Sequence, residues 1–507
     1  MIKKTLALLS FAAALCACCG GSQGEFDYLY KDLPFEMEKV ARPAIPDYTV
    51  DIKDFGGVGD GVTLNCQAFA DAIEHLSSKG GGHLNVPAGI WLTGPIGLKS
   101  NIDLHVTPNA IILFDPDKSL YPVVETMYEG TTQFKCESPV HADGQSNISI
   151  TGGGVLDGSG EAWRMVKQSK LTPGEWESLT SSGGVTMGTT WYPDDSFFTY
   201  RDFRRENSGL SLDDPAWDAV KRALRPVFVS IRNCENVLLE DCTFQNSPAW
   251  NVHPRMCKNL IVNRVTVRNP WYAQNGDGID IDSCENVLVV NSSFDAGDDG
   301  ICVKSGKDAE GRKWNRPTKN LIVDNCVVYH GHGGFTVGSE MSGGVHNVKV
   351  SNCRFLGTDV GLRFKSTRGR GGVVDNIYID NVYMKDIVAE AVLFNLYYGG
   401  NDPAAMLAAG IQHRTESETT RVADETTPAF RDIHIKDIVC NGAQRAMLFN
   451  GLPEMPVKGI DIENATITSK VGIQLFWSED VHFKNVNVHP SEGEPVFTNN
   501  VTNFVSE

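Results

Sequence analysis

Gly278-Ile279-Asp280-Ile281-Asp282 is followed one phrase later by Gly300-Ile301-Cys302-Val303-Lys304, then by Gly334-Phe335-Thr336-Val337-Gly338 and Gly361-Leu362-Arg363-Phe364-Lys365. Each stretch opens on glycine and places apolar residues second and fourth. Strand side chains alternate between faces, so the second and fourth residues read as core and the third and fifth as an outward, solvent-facing ladder. The phrase before these adds Asn251 and His253 to the same ladder. Four strands with one pattern are a repeat, and a repeat of this kind decides the fold.

A second phrase runs between them. Asn147-Ile-Ser-Ile, Asn236-Val-Leu-Leu, Asn259-Leu-Ile-Val, Asn286-Val-Leu-Val, Asn320-Leu-Ile-Val, Asn347-Val-Lys-Val and Asn376-Ile-Tyr-Ile share an asparagine and an alternating apolar tail. From Asn236 onward the steps are 23, 27, 34, 27 and 29 residues, and fainter copies begin at Asp432, Gly459 and Val481. Short β-branched strands separated by Gly, Asn and Asp cannot bury a face alone; stacked as coils they share one core. The spacing fits neither leucine-rich repeats nor propeller blades. The expected fold is all-β, a right-handed parallel β-helix.

Residues 65–79 read as the one clear helix, capped by Asn65, with Phe69, Ala72, Ile73 and Leu76 on one stripe. It precedes the main coils, so it is expected to plug the open end of the stack. A single β-helix domain over 45–507 is expected, with an N-terminal cap over 45–110. Two long loop insertions, about 160–226 and 396–430, interrupt it.

Residues 1–19 read as an export signal: Lys3 and Lys4, a short apolar run over 6–14, then Leu15-Cys16-Ala17-Cys18. The last four resemble a lipobox, which makes Cys18 the expected lipidated residue, with plain secretion as the alternative. The expected location is the periplasm or outer membrane of a Gram-negative bacterium. Of 13 cysteines, three lie in this signal. The other ten show no metal-binding spacing, and Cys234, Cys284, Cys326 and Cys353 sit beside the asparagine phrases as small core residues. A net charge of -18 argues against a nucleic-acid partner.

The register places chemistry on one edge. Asp277 and Asp299 both precede an anchor glycine, one coil apart, so their carboxylates lie side by side with Asp298 next to them. His332 takes the place of Asp298 in the following coil. Asp298-Asp299 alone would read as a solvated turn, but stacked like charges cost stability unless they serve a function. Asp295, aligned with nothing acidic, reads as plain surface.

These residues resemble glycoside hydrolase family 28, the polygalacturonases. Asn275-Gly276-Asp277, Asp298-Asp299, Gly331-His332-Gly333 and Arg363-Phe364-Lys365 match its four motifs in order. The longer signature around the histidine continues to Val337-Gly338-Ser339. Gly276 stands where the family has Thr, and Gly300 where Cys is common. The resemblance implies inverting hydrolysis of α-linked galacturonic acid without metal or cofactor. Asp298 would be the acid, Asp277 and Asp299 the base pair, and His332 part of the proton network. A carboxyl beside two carboxylates is expected to stay protonated, which suits Asp298. Arg363, Lys365, Lys304, Asn275 and His253 would bind the anionic polysaccharide, with Lys307, Arg255, Arg368 and Arg370 extending a basic strip. Two rivals are a calcium-dependent pectate lyase and a non-catalytic glycan-binding solenoid. Trp191, Tyr192, Phe197, Tyr200, Arg204 and Arg205, with Tyr397 and Tyr398 from the second insertion, are expected to wall the cleft into an exo-type pocket, the alternative being loops that merely cover an exposed sheet and leave an open, endo-type cleft.

Overall fold

The computed structural model describes residues 24–400, 403–404 and 419–507, so the signal with Cys18 and part of the second insertion lie outside the described residues. The chain winds as a right-handed parallel β-helix, the hand that parallel crossovers adopt. A typical coil contributes Glu285–Val290 to one sheet, Ser293–Ala296 to a second and Ile301–Lys304 to a third. The next coil repeats this with Thr318–Asp324, Val327–His330 and Gly333–Val337. After residue 373 the strands run on through Val373–Asn395, Ala429–Asn450 and Val457–Ser506.

The glycine-phrase alignment is the observed register. Ile279 pairs with Ile301, Ile301 with Phe335 and Phe335 with Leu362; Asp280, Cys302, Thr336 and Arg363 form the row between. Ile279, Ile281, Ile301, Val303, Phe335, Val337, Leu362 and Phe364 are all fully buried inside the coils. Each such side chain contributes about 1.5–3 kcal/mol of transfer free energy. The asparagines of the other phrase sit at left-handed φ, as at Asn236 (57°), Asn286 (58°) and Asn347 (58°). Asparagine tolerates that conformation better than most residues, which explains its recurrence at the bend entering each strand. All ten described cysteines are free, and all but Cys66 are buried.

The helix spans Cys66–Ser78 and buries Ala68, Phe69, Ala72, Ile73 and Leu76 against the first coils. Asn65 does not cap it; its side chain instead bonds Val58, Thr63 and Leu92, tying the preceding loop to the first coil. The helix is not alone: Pro173–Ser181, Ser196–Glu206 and Asp308–Trp314 are also helical. Two of these lie inside the first insertion; Pro173–Ser181 shows little apolar periodicity, whereas Ser196–Glu206 turns Tyr200 and Phe203 together into a satellite core. Ahead of residue 45, Phe26, Leu29 and Val40 lie on the outer face of the 285–290 sheet, against Leu238, Ile261, Leu288 and Ile322.

A hairpin that the repeat does not announce, Val123–Tyr128 with Thr131–Cys136, projects from an early coil. It packs with the first insertion: Tyr121, Val123 and Cys136 share a satellite core with Trp163, Trp217, Val220 and Leu224.

Candidate active site

The outward ladder of the third sheet does not face water. Asp280, Cys302 and Thr336 are fully buried, and Asp282, Lys304 and Lys365 are nearly so. Strand alternation turns them out of the coil core, but the hairpin, the turns and Tyr398 lie over that face; of these six, Lys304 and Lys365 line a cavity and the others are buried beneath it. The cavity, of about 270 Å³, is lined by Asp277, Asp298, Asp299, Lys304, Lys365 and Arg370 among others.

Asp277, Asp298 and Asp299 present carboxylate oxygens within 4.8 Å of one another. Asp299 is 1% exposed; Lys365 Nζ donates to it at 2.7 Å, Arg363 Nη1 at 3.0 Å and Thr336 Oγ1 at 3.1 Å. Burial pushes its carboxyl up, but Lys365, Arg363 and Lys304 together hold it far below the usual carboxylate range. Arg363 and Lys365, expected to grip a substrate carboxylate, are therefore first the counter-ions of Asp299. The cationic collar also opposes a calcium ion at the trio, which would need six to eight oxygen ligands.

His332 follows Asp298 as the register requires. Its backbone N–H donates to the Asp298 carbonyl at 2.8 Å, and its Nδ1 lies 3.1 Å from Asp298 Oδ1. Gly331, at φ 86°, and Gly333 frame it; a Cβ on Gly333 would meet Thr336 Oγ1 at 2.1 Å. The Gly-His-Gly spelling thus follows from close approach. Hydrogen bonding to Asp298 raises the His332 pKa despite its partial burial. For Asp298 burial acts upward, yet the His332 hydrogen bond wins and the carboxyl titrates below its usual value. This reverses the expectation that Asp298 stays protonated beside its neighbours. Asp277 is the member pushed well up, by burial first and then by Asp280 and Asp298 in so far as they are charged, and its Oδ1 has no hydrogen-bond partner.

Asn275 lines the cavity and is fixed from behind: Arg225, buried, donates to Asn275 Oδ1 and to the Gln274 carbonyl, both at 2.9 Å. Lys304 lines the cavity beside Glu340 at 3.0 Å and Asp280 at 3.5 Å. His253 does not reach it; it packs edge-on against Trp250 with Nε2 3.5 Å from Asp282, and burial lowers its pKa. Of the basic strip, Lys307 and Arg370 line the cavity. Arg255 is buried against Met127, and Arg368 pairs with Glu454. Asp295 is a half-exposed surface partner of His330. A Cβ on Gly300 would meet Val328 at 2.4 Å, so that departure from the family belongs to the coil interior.

Four lining residues carry no signal in the repeat: Glu129 at the hairpin tip, Trp250, Glu340 and Tyr398. Glu340 follows directly on the Val337-Gly338-Ser339 signature, and Tyr398 belongs to the second insertion; Glu129 and Trp250 carry no such mark. Among the described residues, none of the first insertion lines this cavity. Tyr192 packs on Phe197 and Phe198, and Arg204 lies over Phe134 and Trp217. The insertion acts at one remove, by buttressing the hairpin. Tyr398 does reach the cavity, 5.0 Å from Lys365 Nζ, as expected of the second insertion.

Comparison with known proteins identifies the family. The glycosyl hydrolases family 28 model matches residues 216–415. A hyperthermoactive exopolygalacturonase from Thermotoga maritima superposes with a TM-score of 0.73 at 32% identity, covering 90% of this chain and 95% of that one. A probable polygalacturonase of Vitis vinifera is 29% identical over 435 residues, 83% of this chain and 74% of its own. An exo-poly-alpha-D-galacturonosidase of Dickeya chrysanthemi is 28% identical over 403 residues, 76% of this chain and 64% of its own. The ordered motifs, the coil register and these likenesses agree: the chain belongs to glycosyl hydrolase family 28 and is a glycoside hydrolase.

Proposed function

We propose that the protein hydrolyses α-1,4-linked galacturonic acid in pectic polysaccharides, removing residues from chain ends with inversion. The observation that carries this is a covered cavity holding a carboxylate trio under Lys304, Lys307, Lys365 and Arg370. Its volume of about 270 Å³ lies below the roughly 300–1,000 Å³ of drug-sized sites and suits a terminal sugar better than a threaded polymer. The Thermotoga and Dickeya relatives, by their names, act in the same exo fashion.

Asp298 is the most accessible of the trio, at 17% side-chain exposure, and His332 beside it is raised toward the charged form. A proton passes from His332 to Asp298 as substrate displaces water, and from Asp298 to the leaving oxygen. Asp277 draws a proton from the attacking water, and Asp299, already neutralised by Lys365 and Arg363, orients that water. Galacturonate carboxylates have Lys307 and Arg370 to meet.

Two-carboxylate inverting enzymes usually hold their groups roughly 6.5–9.5 Å apart and retaining ones roughly 5–5.5 Å. In the trio one oxygen of each carboxylate lies within 4.8 Å of the others, a bound on closest approach that selects neither class, so product stereochemistry has to separate inversion from retention. Proton NMR of the first-formed sugar decides: β-anomer supports inversion, and α-anomer overturns it. Product sizing over time decides the rest. Monomer from the first minutes with slow loss of viscosity is expected, whereas early mixed oligomers would mean an open cleft. EDTA should leave the rate unchanged; an unsaturated, calcium-dependent product would replace hydrolysis with elimination. For export and lipidation at Cys18, Cys18→Ser should move the protein from the membrane to the soluble fraction, and an unchanged distribution would refute the anchor.

A further inference from the structure

Five carboxyls crowd the buried floor of the cavity: Asp277, Asp280, Asp298, Asp299 and Glu340. Four have assigned partners or lie open to the cavity. Asp299 takes Lys365 and Arg363, Asp298 takes His332, and Glu340 takes Lys304 at 3.0 Å. Lys304 also stands 3.5 Å from Asp280 Oδ1, but no hydrogen bond forms there. The Lys304 hydrogen bond goes to Glu340: burial opposes that carboxyl's charge, yet Lys304 and Lys365 bring it down to about 2.

Asp277 and Asp280 are left together. Ligand atoms of Asp277, Asp280 and Cys302 lie within 4.8 Å of one another. Asp280 is 0% exposed and neither of its oxygens is hydrogen-bonded; Asp277 Oδ1 is likewise unpartnered. Two adjacent buried carboxyls without donors cannot both carry charge, so they titrate as a pair that keeps a proton. They differ in one respect. Asp277 lines the cavity, where water and sugar hydroxyls can solvate it, and Asp280 does not.

We propose that Asp280 is the proton-holding partner of Asp277: it remains a neutral acid beneath the site, so that Asp277 meets the attacking water as a carboxylate. Asp280 is thus a positioning residue for charge, and this deepens the hydrolytic reading above, on which its catalytic consequence rests. In the step itself the water oxygen bonds the anomeric carbon and gives its proton to Asp277. The glycosidic electron pair leaves with the sugar oxygen, which takes the proton of Asp298; Asp280 keeps its own throughout. Other groups face Asp280. Asp282 on its own strand is paired with His253; Cys302 and Lys304 come from the next strand, Asp298 and Asp299 from the turn leading into it, Glu340 from just past the strand after that, and Tyr128 from the hairpin. Burial, only partly countered by Lys304, places Asp280 near 8.

The test is Asp280→Asn, which fixes the neutral state. The acid limb of its rate–pH profile, where Asp277 loses its proton, should coincide with that of the wild type. A shift of that limb to lower pH would show that an anionic Asp280 had been holding Asp277 up, and loss of activity in folded enzyme would show that its charge is needed; either overturns the proposal. Difference infrared spectra of the wild type need neither a variant nor substrate. A protonated-carboxyl carbonyl band should be present below a pH of about 8 and vanish above it. Its absence below that pH overturns the proposal even if the variant does not fold. A titrating band in an enzyme that releases no sugar from polygalacturonate would sink the hydrolytic reading alone.

Discussion

Two polar ladders climb this solenoid and are satisfied in opposite ways. On the 285–290 sheet Asn236, Asn259, Asn286, Asn320 and Asn347 each donate Nδ2 to the Oδ1 of the asparagine one coil before, at 2.9–3.3 Å. An amide is both donor and acceptor, so a column of identical residues satisfies itself and every interior rung has the same environment. On the 301–304 sheet no rung repeats: Asp280, Cys302, Thr336 and Arg363 follow one another. There Asp277, Asp280 and Asp282 keep buried oxygens without hydrogen bonds. Repetition supplies structure at little cost in specificity. Chemistry needs the broken column, where charges are balanced across the ladder instead of along it.

Asp298→Asn tests the broken column hardest. The rate of sugar release should fall about 10²–10⁴-fold, the usual loss of a general acid, in an enzyme that remains folded; more than a tenth of wild-type rate would remove Asp298 from that role.

Lys365→Ala should cost stability as well as turnover. Lys365 is nearly buried and strips Asp299 of a counter-ion when lost, a change worth about 3–5 kcal/mol when a buried pair is broken. Denaturant unfolding checks it. An unaltered midpoint with weaker oligomer binding would return Lys365 to the substrate-gripping role the resemblance implies.

In the regular column, Asn320→Ala should cost about 1 kcal/mol for its hydrogen bonds, somewhat more because φ is 58° there. Activity should stay at the wild-type level; a large kinetic effect would erase the contrast between the ladders.

The smallest effect is on pH. His332 titrates above its unfolded value of 6.5 because of Asp298. Its contribution to stability is complete below 6.5 and is lost as pH rises through the folded value. A His332→Gln variant should lack that decline. If its stability–pH curve superposes on the wild type's above 6.5, the His332–Asp298 bond carries no net charge coupling.

Periodicity revealed what repeats. The register of Ile279, Ile301, Phe335 and Leu362, the stacking of Asp277 on Asp299, and the place of His332 all follow from glycine anchors and alternation. What covers the ladder does not repeat: Tyr398 was legible only through its place at the second insertion, and Glu129 not at all. Glu129 and Tyr398 reach the cavity from outside the coils, and the outward rows were therefore expected in water. That error carried into the chemistry: burial and His332 set the charges of Asp277 and Asp298, not their mutual repulsion alone. His253 shows the limit plainly, since alternation gives its direction but not the Trp250 ring lying against it.

The hairpin at 123–136 changes how the molecule can come apart. In a stack each coil touches only its neighbours, so disturbance passes like falling dominoes, rung to rung. The hairpin leaves beside the strand starting at Val140, and Thr132 bonds Glu310 at 2.7 Å while Gly130 lies against Lys307, just past a strand four coils further on. That span braces the row as a strut braces a ladder frame. The coils between cannot slide or fray one at a time without breaking it, so the segment holding the carboxyls opens as one block or not at all.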